Sequence, residues 1–271
     1  MVRSLWTAAT GMIAQQVNLD TIANNLSNVN TNGYKTQVNE FKSLLYQTLQ
    51  TRTTTANGAQ KPTSAQVGLG VRNSAITSVF TTGNMIASPK VSSFAIDGKG
   101  FFAVRGSDGN TYYTRNGNLE FTLAVNGNML ATSDGLPVLD TTGNPIILNN
   151  DYILSRVTVT SDGQLCYPDE ANNPQPIGIT IGVFQFNNPN GLERLANSLY
   201  AQSAASGLPI NEATNPNVER SEVIQGYLEG SNVQVADEMV NMIVAQRAYE
   251  LNSKAIQASD EMLQQANNLR R

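Results

Sequence analysis

The residue types that most often carry out catalysis or bind metals are scarce in this sequence. It contains no histidine, so a Ser-His-Asp triad, a histidine general base and a histidine metal ligand are all excluded. Cys166 is the single cysteine, which excludes an intramolecular disulfide and a cysteine-rich zinc or iron–sulfur site. Because Cys166 lies within an apparent strand, we expect a packed thiol rather than a nucleophile.

Aspartates that precede glycine are the remaining candidates for a metal site. They are Asp97, Asp108, Asp134 and Asp162, and none has the alternating acidic spacing with a distal glutamate that a calcium loop requires. Asp-Gly is instead a strong hairpin signal. Two carboxylates placed for glycan cleavage stay an open alternative, although no motif indicates them. We therefore predict no catalytic residue, no cofactor and no metal.

The distribution of charged and apolar residues argues against a nucleic-acid partner, a membrane span and a cleavable signal peptide. Charged residues make up 14% of the chain and the net charge is −4. No run of Lys or Arg is dense enough to follow a phosphate backbone, so we expect no nucleic-acid partner. No stretch approaches the roughly 20 apolar residues of a membrane span. The first residues also lack the apolar core of a cleavable signal peptide, so we expect none.

The first of two predicted helices runs from about residue 4 to about residue 28. Its apolar residues recur every seven positions, with others three positions later, as in a coiled-coil seam. Gln15 interrupts this seam, and Ile13 and Val17 widen it. The pattern ends in an Asn-rich turn closing at Gly33, which suits a left-handed helix stop. The predicted seam residues are Leu5, Met12, Leu19, Ile22 and Leu26.

The second predicted helix follows a capping-box pattern from Ser231 to Gln234. Asp237 and Glu238 come next, near the positive end of the helix dipole. No Gly or Pro occurs from Ser231 to Arg271, so the helix would be roughly 55–60 Å long at ~1.5 Å per residue. A small core cannot cover such a length. Its predicted seam residues are Val235, Met239, Met242, Tyr249, Ile256 and Leu263.

The middle of the chain reads as β structure. Asn-Gly or Asp-Gly pairs start at residues 97, 108, 116, 126, 134, 162 and 190, with short apolar runs between them. This spacing predicts an antiparallel all-β domain. Residues 47–66 are polar and poor in large apolar groups, which taken alone indicates a disordered linker. The predicted fold class is therefore α+β.

The two helical ends favour self-assembly. About ten large seam residues contribute ~15–30 kcal/mol of gross burial at ~1.5–3 kcal/mol each. Ordering about fifty residues costs more, at ~1–2 kcal/mol each for the backbone. A hairpin of the two helices within one molecule stays an alternative, but it would leave Ile13, Val17 and Ile243 exposed. Packing against further copies adds burial without ordering more chain, so we favour it.

Motifs along the whole chain resemble those of the bacterial flagellar rod and hook family, and they occur in the family's order. One N-terminal motif, two central motifs and one C-terminal motif in two parts are similar. These segments are 23–35, 96–102, 113–121, 231–243 and 246–254. The family-motif residues in the first segment are Asn24, Asn25, Asn28, Asn32 and Gly33.

This resemblance implies a hollow tube, with the terminal helices in a coiled-coil inner domain and an antiparallel all-β outer domain. It implies a torque-transmitting structural subunit, exported through the flagellar type III apparatus without cleavage of a signal peptide. Implied partners are copies of itself, the proximal rod proteins, the hook or hook–rod junction and a surrounding ring bushing. Segments 3–6, 44–48 and 67–72 resemble the distal-rod branch, with the proximal rod and the hook as alternatives.

The resemblance also sets the expected domain boundaries. We expect residues 1–34 and 229–271 to form the helical core domain and residues 76–228 the β outer domain. Residues 35–75 would be an extended connecting segment that stiffens the rod and is ordered by neighbouring subunits. Two rival functions belong to other classes, namely an adhesin-like β module trimerised by its helices and a periplasmic peptidoglycan hydrolase. Motifs at both ends argue against the first, and the missing histidine argues against the second.

Overall fold

The computed structural model describes residues 2–50, 65–124, 127–169 and 173–268. Within these ranges it has one helix near each end of the chain and a β-rich body between them, so the predicted α+β class is confirmed. Of the polar segment 47–66, residues 51–64 lie outside the described residues. The described chain contains no helix whose length and apolarity suit crossing a bilayer.

The chain divides into two compact units. The helical unit holds both helices and the segment Gln37–Thr77. The β body comprises Asn28–Thr36 and Ser78–Val233. Residues 28–36 are part of the β body in this division.

The helical unit contains α1, Val2–Ser27, and α2, Val235–Asn268. At ~1.5 Å rise per residue, the 34 residues of α2 extend roughly 50 Å. The capping-box prediction is wrong, because α2 begins only at Val235 and the Ser231 hydroxyl accepts its hydrogen bond from the Val233 N–H, at 3.3 Å. Asp237 and Glu238 do lie in the first turn of α2, where the helix dipole favours negative charge.

A ribbon of four short strands, paired two by two, completes the helical unit. Its strands are β1 Gln37–Ser43, β2 Tyr46–Gln50, β3 Ala65–Gly68 and β4 Val71–Ser78. β1 pairs with β4 and β2 pairs with β3, and backbone hydrogen bonds from Leu44 to Gly70 and from Leu69 to Leu45 join the two pairs. The ribbon contacts α1, where the Thr10 hydroxyl accepts a hydrogen bond from the Val71 N–H at 3.4 Å.

The β body is built from short strands with two 3-10 turns, Leu154–Arg156 and Pro189–Gly191. Its strands are β5 Met85–Ala87, β6 Phe94–Asp97, β7 Phe101–Arg105, β8 Thr111–Thr114, β9 Leu119–Ala124, β10 Gly127–Thr132, β11 Ile147–Leu148, β12 Thr158–Val159, β13 Gln164–Pro168, β14 Pro174–Thr180, β15 Val183–Gln185, β16 Glu193–Arg194, β17 Leu199–Ala201, β18 Ile210–Asn211, β19 Glu222–Gln225 and β20 Tyr227–Glu229.

Strands of the β body pair antiparallel. The largest sheet has the order β16-β17-β8-β7-β15-β18, and two three-stranded sheets have the orders β11-β10-β9 and β12-β13-β14. β6 pairs with β19, and β5 pairs with β20. Alternating apolar side chains from these sheets form one main core. Its members include Phe94, Ile96, Phe102, Val104, Leu119, Leu130, Leu165 and Val223.

Only some of the Asn-Gly and Asp-Gly pairs close hairpins. Asp108-Gly109 connects β7 to β8 and Asp162-Gly163 connects β12 to β13, as predicted. Asp97-Gly98 and Asn116-Gly117 instead join strands that do not pair with each other, and Gly191 lies in a 3-10 turn. Gly117 is needed for close backbone approach, because a Cβ there would lie 1.6 Å from the Phe94 carbonyl oxygen.

Candidate assembly interface

α1 and α2 pack against each other in opposite directions along a line of small and polar side chains. The Ser4 and Ser259 hydroxyls are 3.2 Å apart, and a Cβ added at Gly11 would lie 2.9 Å from Asn252 Nδ2. The line repeats every seven residues on each helix, the spacing of a helix–helix seam. The same spacing continues to Asn18 on α1 and to Ala245 and Glu238 on α2, and these three residues line one groove.

This line differs from the predicted apolar seam. Small side chains bring the two helices of one chain together, so the hairpin alternative describes how they pack within the molecule. Of the predicted seam residues, Ile22 is buried, and Val235, Met239 and Tyr249 are exposed. The half-buried ones are Leu5, Met12, Leu19, Leu26, Met242, Ile256 and Leu263.

Large apolar side chains remain exposed on the outer faces of both helices. Ile13 is 63% exposed and Ile243 is 55% exposed, as expected for a two-helix unit without much interior. Exposed apolar surface of this extent marks an interaction site in a soluble protein. The exposed set on the two helices is Trp6, Ile13, Val235, Met239, Val240, Ile243, Val244, Tyr249, Leu251 and Met262.

The ribbon of the same unit also carries exposed large apolar residues. Its exposed large apolar residues are Val38, Phe41, Leu45, Tyr46, Leu49, Val67 and Leu69. Exposed residues of this kind are sparser in the β body, which supplies most of the described chain. The unpartnered apolar surface is therefore concentrated in the helical unit.

Asn25, one of the family-motif residues, fastens the end of α1 to the start of β1. Its Oδ1 accepts a hydrogen bond from the Gln37 N–H at 2.9 Å, and its Nδ2 donates one to the Gln37 carbonyl at 2.8 Å. The side chain is almost fully buried, so both bonds are shielded from water. Its neighbour Asn24 is exposed.

The other motif residues lie in the β body, where they shape a turn. Asn28 accepts hydrogen bonds from the Thr31 N–H and hydroxyl, both at 3.1 Å, and Asn32 is half-buried. Gly33 has φ +70°, and a Cβ there would lie 2.6 Å from the Arg115 carbonyl carbon. Glycine is thus required for both conformation and space. α1 ends six residues earlier at Ser27, so Gly33 does not terminate that helix as predicted.

A buried ionic cluster holds this turn to the rest of the β body. Glu229 forms ion pairs with Lys35 and Arg115, and all three side chains have no exposed surface. Lys35 Nζ also donates to the Thr81 carbonyl at 2.8 Å, and an Arg115 guanidinium NH donates to the Gly98 carbonyl at 2.6 Å. The cluster therefore joins distant chain segments through one carboxylate.

The electrostatics of this cluster follow from its burial. Burial lowers the pKa of Lys35, and the nearby Arg115 charge acts in the same direction against the opposing effect of Glu229. Burial also lowers the pKa of the Arg115 guanidinium. Lys35 and Arg115 are thus two buried cations that share the carboxylate of Glu229 as a counter-charge.

Sequence reasoning did not identify this cluster. Lys35 and Arg115 lie in motifs that carried the family resemblance, but a charged residue in a motif is more often solvated than buried. One available signal was a glycine within two residues of each charge, at Gly33, Gly117 and Gly230. Glycines at such positions allow the close backbone approach that encloses a side chain.

Two potentially reactive side chains of the β body, Cys166 and Glu212, are buried. Cys166 is buried, as predicted for a packed thiol. In the β body, the buried Glu212 carboxylate accepts hydrogen bonds from Ser221 N–H at 2.6 Å, Ser221 Oγ at 2.9 Å and Gln185 Nε2 at 2.8 Å. Among the described residues, no group of three or more Asp, Glu or Cys side chains is placed to hold a metal ion.

Three segments of the chain match known families of flagellar proteins. Residues 5–35 match the family described as flagella basal body rod protein, and residues 224–269 match flagellar basal body rod FlgEFG protein C-terminal. Residues 95–167 match flagellar hook protein FlgE/F/G D1 domain. The first and last matches include most of α1 and α2, and the middle one lies in the β body.

Full-length relatives decide the family. The flagellar basal-body rod protein FlgG of Borreliella burgdorferi is 43% identical over 274 residues, with all of both chains covered. FlgG of Agrobacterium fabrum is 41% identical over 96% of this chain and 97% of its own, and FlgG of Bacillus subtilis is 36% identical with complete coverage of both. The chain belongs to the FlgG family of flagellar basal-body rod proteins. This rod subunit is therefore a structural component of the flagellar basal body, in its distal rod.

Proposed function

We propose that this rod subunit polymerises through its helical unit into a hollow helical tube. The exposed apolar faces of α1, α2 and the ribbon become buried between copies, with the terminal helices in a coiled-coil inner domain. The concentration of large exposed apolar side chains in this unit carries the proposal. Burying these side chains between copies stabilises the assembly by roughly 25 cal/mol for each Å² of apolar surface removed from water.

Family membership and the motif resemblance support a more detailed assembly. The predicted seam residues, Leu5 and Met242 among them, pack between copies, and the antiparallel β body forms the outer domain. The rod transmits torque from motor to hook and conducts exported subunits, without catalysis. Its partners are the proximal rod proteins, the hook or its junction, the ring bushing and the type III export apparatus. Residues 35–75 stiffen the rod, and export occurs without a cleaved signal peptide.

Polymerisation of paired surface variants tests this proposal. Ile243→Asp places a charge on the exposed apolar face of α2, whereas Leu123→Asp places one on the β body at a residue that is 88% exposed. Losing one buried isoleucine, at about 1.5–3 kcal/mol, raises the concentration needed for polymerisation by on the order of 10- to 100-fold. Leu123→Asp should polymerise as the unaltered protein does.

Electron microscopy and sedimentation of purified protein give the readout, and circular dichroism checks that both variants fold. Equal polymerisation of Ile243→Asp and the unaltered protein would refute assembly through α2. Discrete particles of fixed size from the unaltered protein would instead favour an adhesin-like oligomer.

A further inference from the structure

A groove in the helical unit is lined mainly by polar side chains. It has a volume of about 290 Å³ and lies where α1, β1 and α2 meet. One carboxylate, Glu238, and the side-chain amides of Asn39, Asn18 and Asn241 line it. The proposed apolar interface therefore contains a polar recess.

Two side chains in this groove are buried with unmet hydrogen-bonding capacity. Glu238 and Asn39 are each only 8% exposed. Within the part of the chain that the structure describes, Glu238 Oε2 has no hydrogen-bond partner, and neither Oδ1 nor Nδ2 of Asn39 has one. Buried polar atoms are nearly always paired in folded proteins, so three such atoms in one groove indicate a missing partner group.

The chemistry of the groove selects a cationic donor. Two of the three unpaired atoms, Glu238 Oε2 and Asn39 Oδ1, accept hydrogen bonds, and a lysine or arginine side chain supplies several donors and no acceptor. The third atom, Asn39 Nδ2, is itself a donor, so this partner pairs the two acceptors only. The dipole of α2 favours the charge on Glu238 but leaves Oε2 without a donor. An anion would meet the Glu238 charge, and Ca²⁺ ordinarily takes six to eight oxygen ligands, whereas this groove offers one carboxylate.

We propose that this groove receives a lysine or arginine side chain from a second copy of this chain, which pairs with Glu238 and Asn39 in the assembled rod. The proposal rests on the proposed self-assembly through the helical unit and adds a polar determinant of register to it. A single buried polar contact within an apolar seam is an established means of fixing register. Basic residues exposed on the same unit are Arg3, Lys42, Arg72, Arg247 and Lys254.

Charge removal at Glu238 tests the proposal. Glu238→Gln keeps the size of the side chain but removes the anion. Loss of a charged hydrogen bond raises the concentration needed for polymerisation by about tenfold or more. Thermal unfolding of the dispersed variant should occur at or above the midpoint of the unaltered protein, because a buried charge without a partner has been removed. Glu193→Gln, at an exposed residue of the β body, is the matched control and should leave polymerisation unchanged.

Each outcome separates this proposal from the one on which it rests. If the unaltered protein polymerises and Glu238→Gln does so equally well, the groove contact is refuted while self-assembly stands. A fall in thermal stability that accounts for the whole polymerisation defect would assign Glu238 a role within one chain and also refute the contact. If EDTA dissolves rods of the unaltered protein but not rods of Glu238→Gln, the occupant of the groove is a metal cation and the side-chain contact is refuted. Failure of the unaltered protein to polymerise would refute the proposed function itself.

Discussion

We expect Glu229→Gln to destabilise the β body far more than the removal of an exposed acidic partner. Glu229 pairs with Lys35 and Arg115, and its Oε1 accepts a hydrogen bond from the Gly83 N–H at 3.0 Å. Glutamine retains the shape and one acceptor, but it leaves two buried cations with no anion between them. Removal of one partner from a buried ion pair costs about 3–5 kcal/mol.

The chain supplies its own control for this measurement. Glu120 forms an ion pair with Lys90 in which each side chain is about half exposed, so Glu120→Gln should cost far less unfolding free energy than Glu229→Gln. Chemical unfolding followed by near-ultraviolet circular dichroism gives both free energies, since the β body contains many aromatic core contacts. Equal losses in the two variants would refute the argument that Glu229 holds the buried cluster together.

Three further predictions concern single residues. Gly33→Ala should cost about 2–4 kcal/mol in unfolding free energy, because it combines a left-handed backbone with a clash against Arg115. Gly135→Ala, also left-handed but with nothing nearby, should cost only about 1–2 kcal/mol. Asn25→Ala should cost about 1–3 kcal/mol by leaving the Gln37 backbone unpaired, as measured by thermal unfolding against exposed Gln16→Ala. Burial raises the pKa of Tyr200 to about 12, so on raising the pH the phenol of the unfolded chain loses its proton before that of the folded chain. The contribution of Tyr200 to the free energy of unfolding should therefore fall by about 1.4 kcal/mol per pH unit between pH 10 and 12. Unfolding of Tyr200→Phe across this range should show a shallower slope.

Each of these predictions has a contrary result. A similar loss in both glycine variants would mean that the space at Gly33 does not matter. If Asn25→Ala unfolds at the same temperature as Gln16→Ala, the two hydrogen bonds between Asn25 and Gln37 do not stabilise the connection of α1 to β1. An unchanged pH slope in Tyr200→Phe would show that this phenol does not contribute to the alkaline loss of stability.

The helices were predictable from sequence because their signals are local. A seven-residue apolar repeat without internal Gly or Pro placed α2, and Asn-rich turns placed the end of α1 close to Ser27. The hairpin β7–β8 was predictable for the same reason, since Asp108-Gly109 lies between two short β-forming runs. Periodicity and turn chemistry depend only on residues close in the chain.

The remaining features depend on pairings between distant residues, for which a single sequence has no local signal. β6 pairs with β19 across more than a hundred residues, and the ionic cluster joins Lys35 to Glu229. The contact line between the helices was missed for a different reason. Large apolar residues mark a seam in sequence reasoning, whereas α1 and α2 meet through small residues such as Gly11, which leaves large ones for other surfaces.

A helical reconstruction by cryo-electron microscopy of rods assembled from the full chain tests the central proposal most directly. We expect the outer faces of α1 and α2, including Ile13, Met239 and Ile243, to be covered by neighbouring copies along the inner wall of the tube. We also expect a basic side chain of a second copy beside Glu238. A tube held together by contacts between β bodies, with those helical faces still in solvent, would contradict the central proposal.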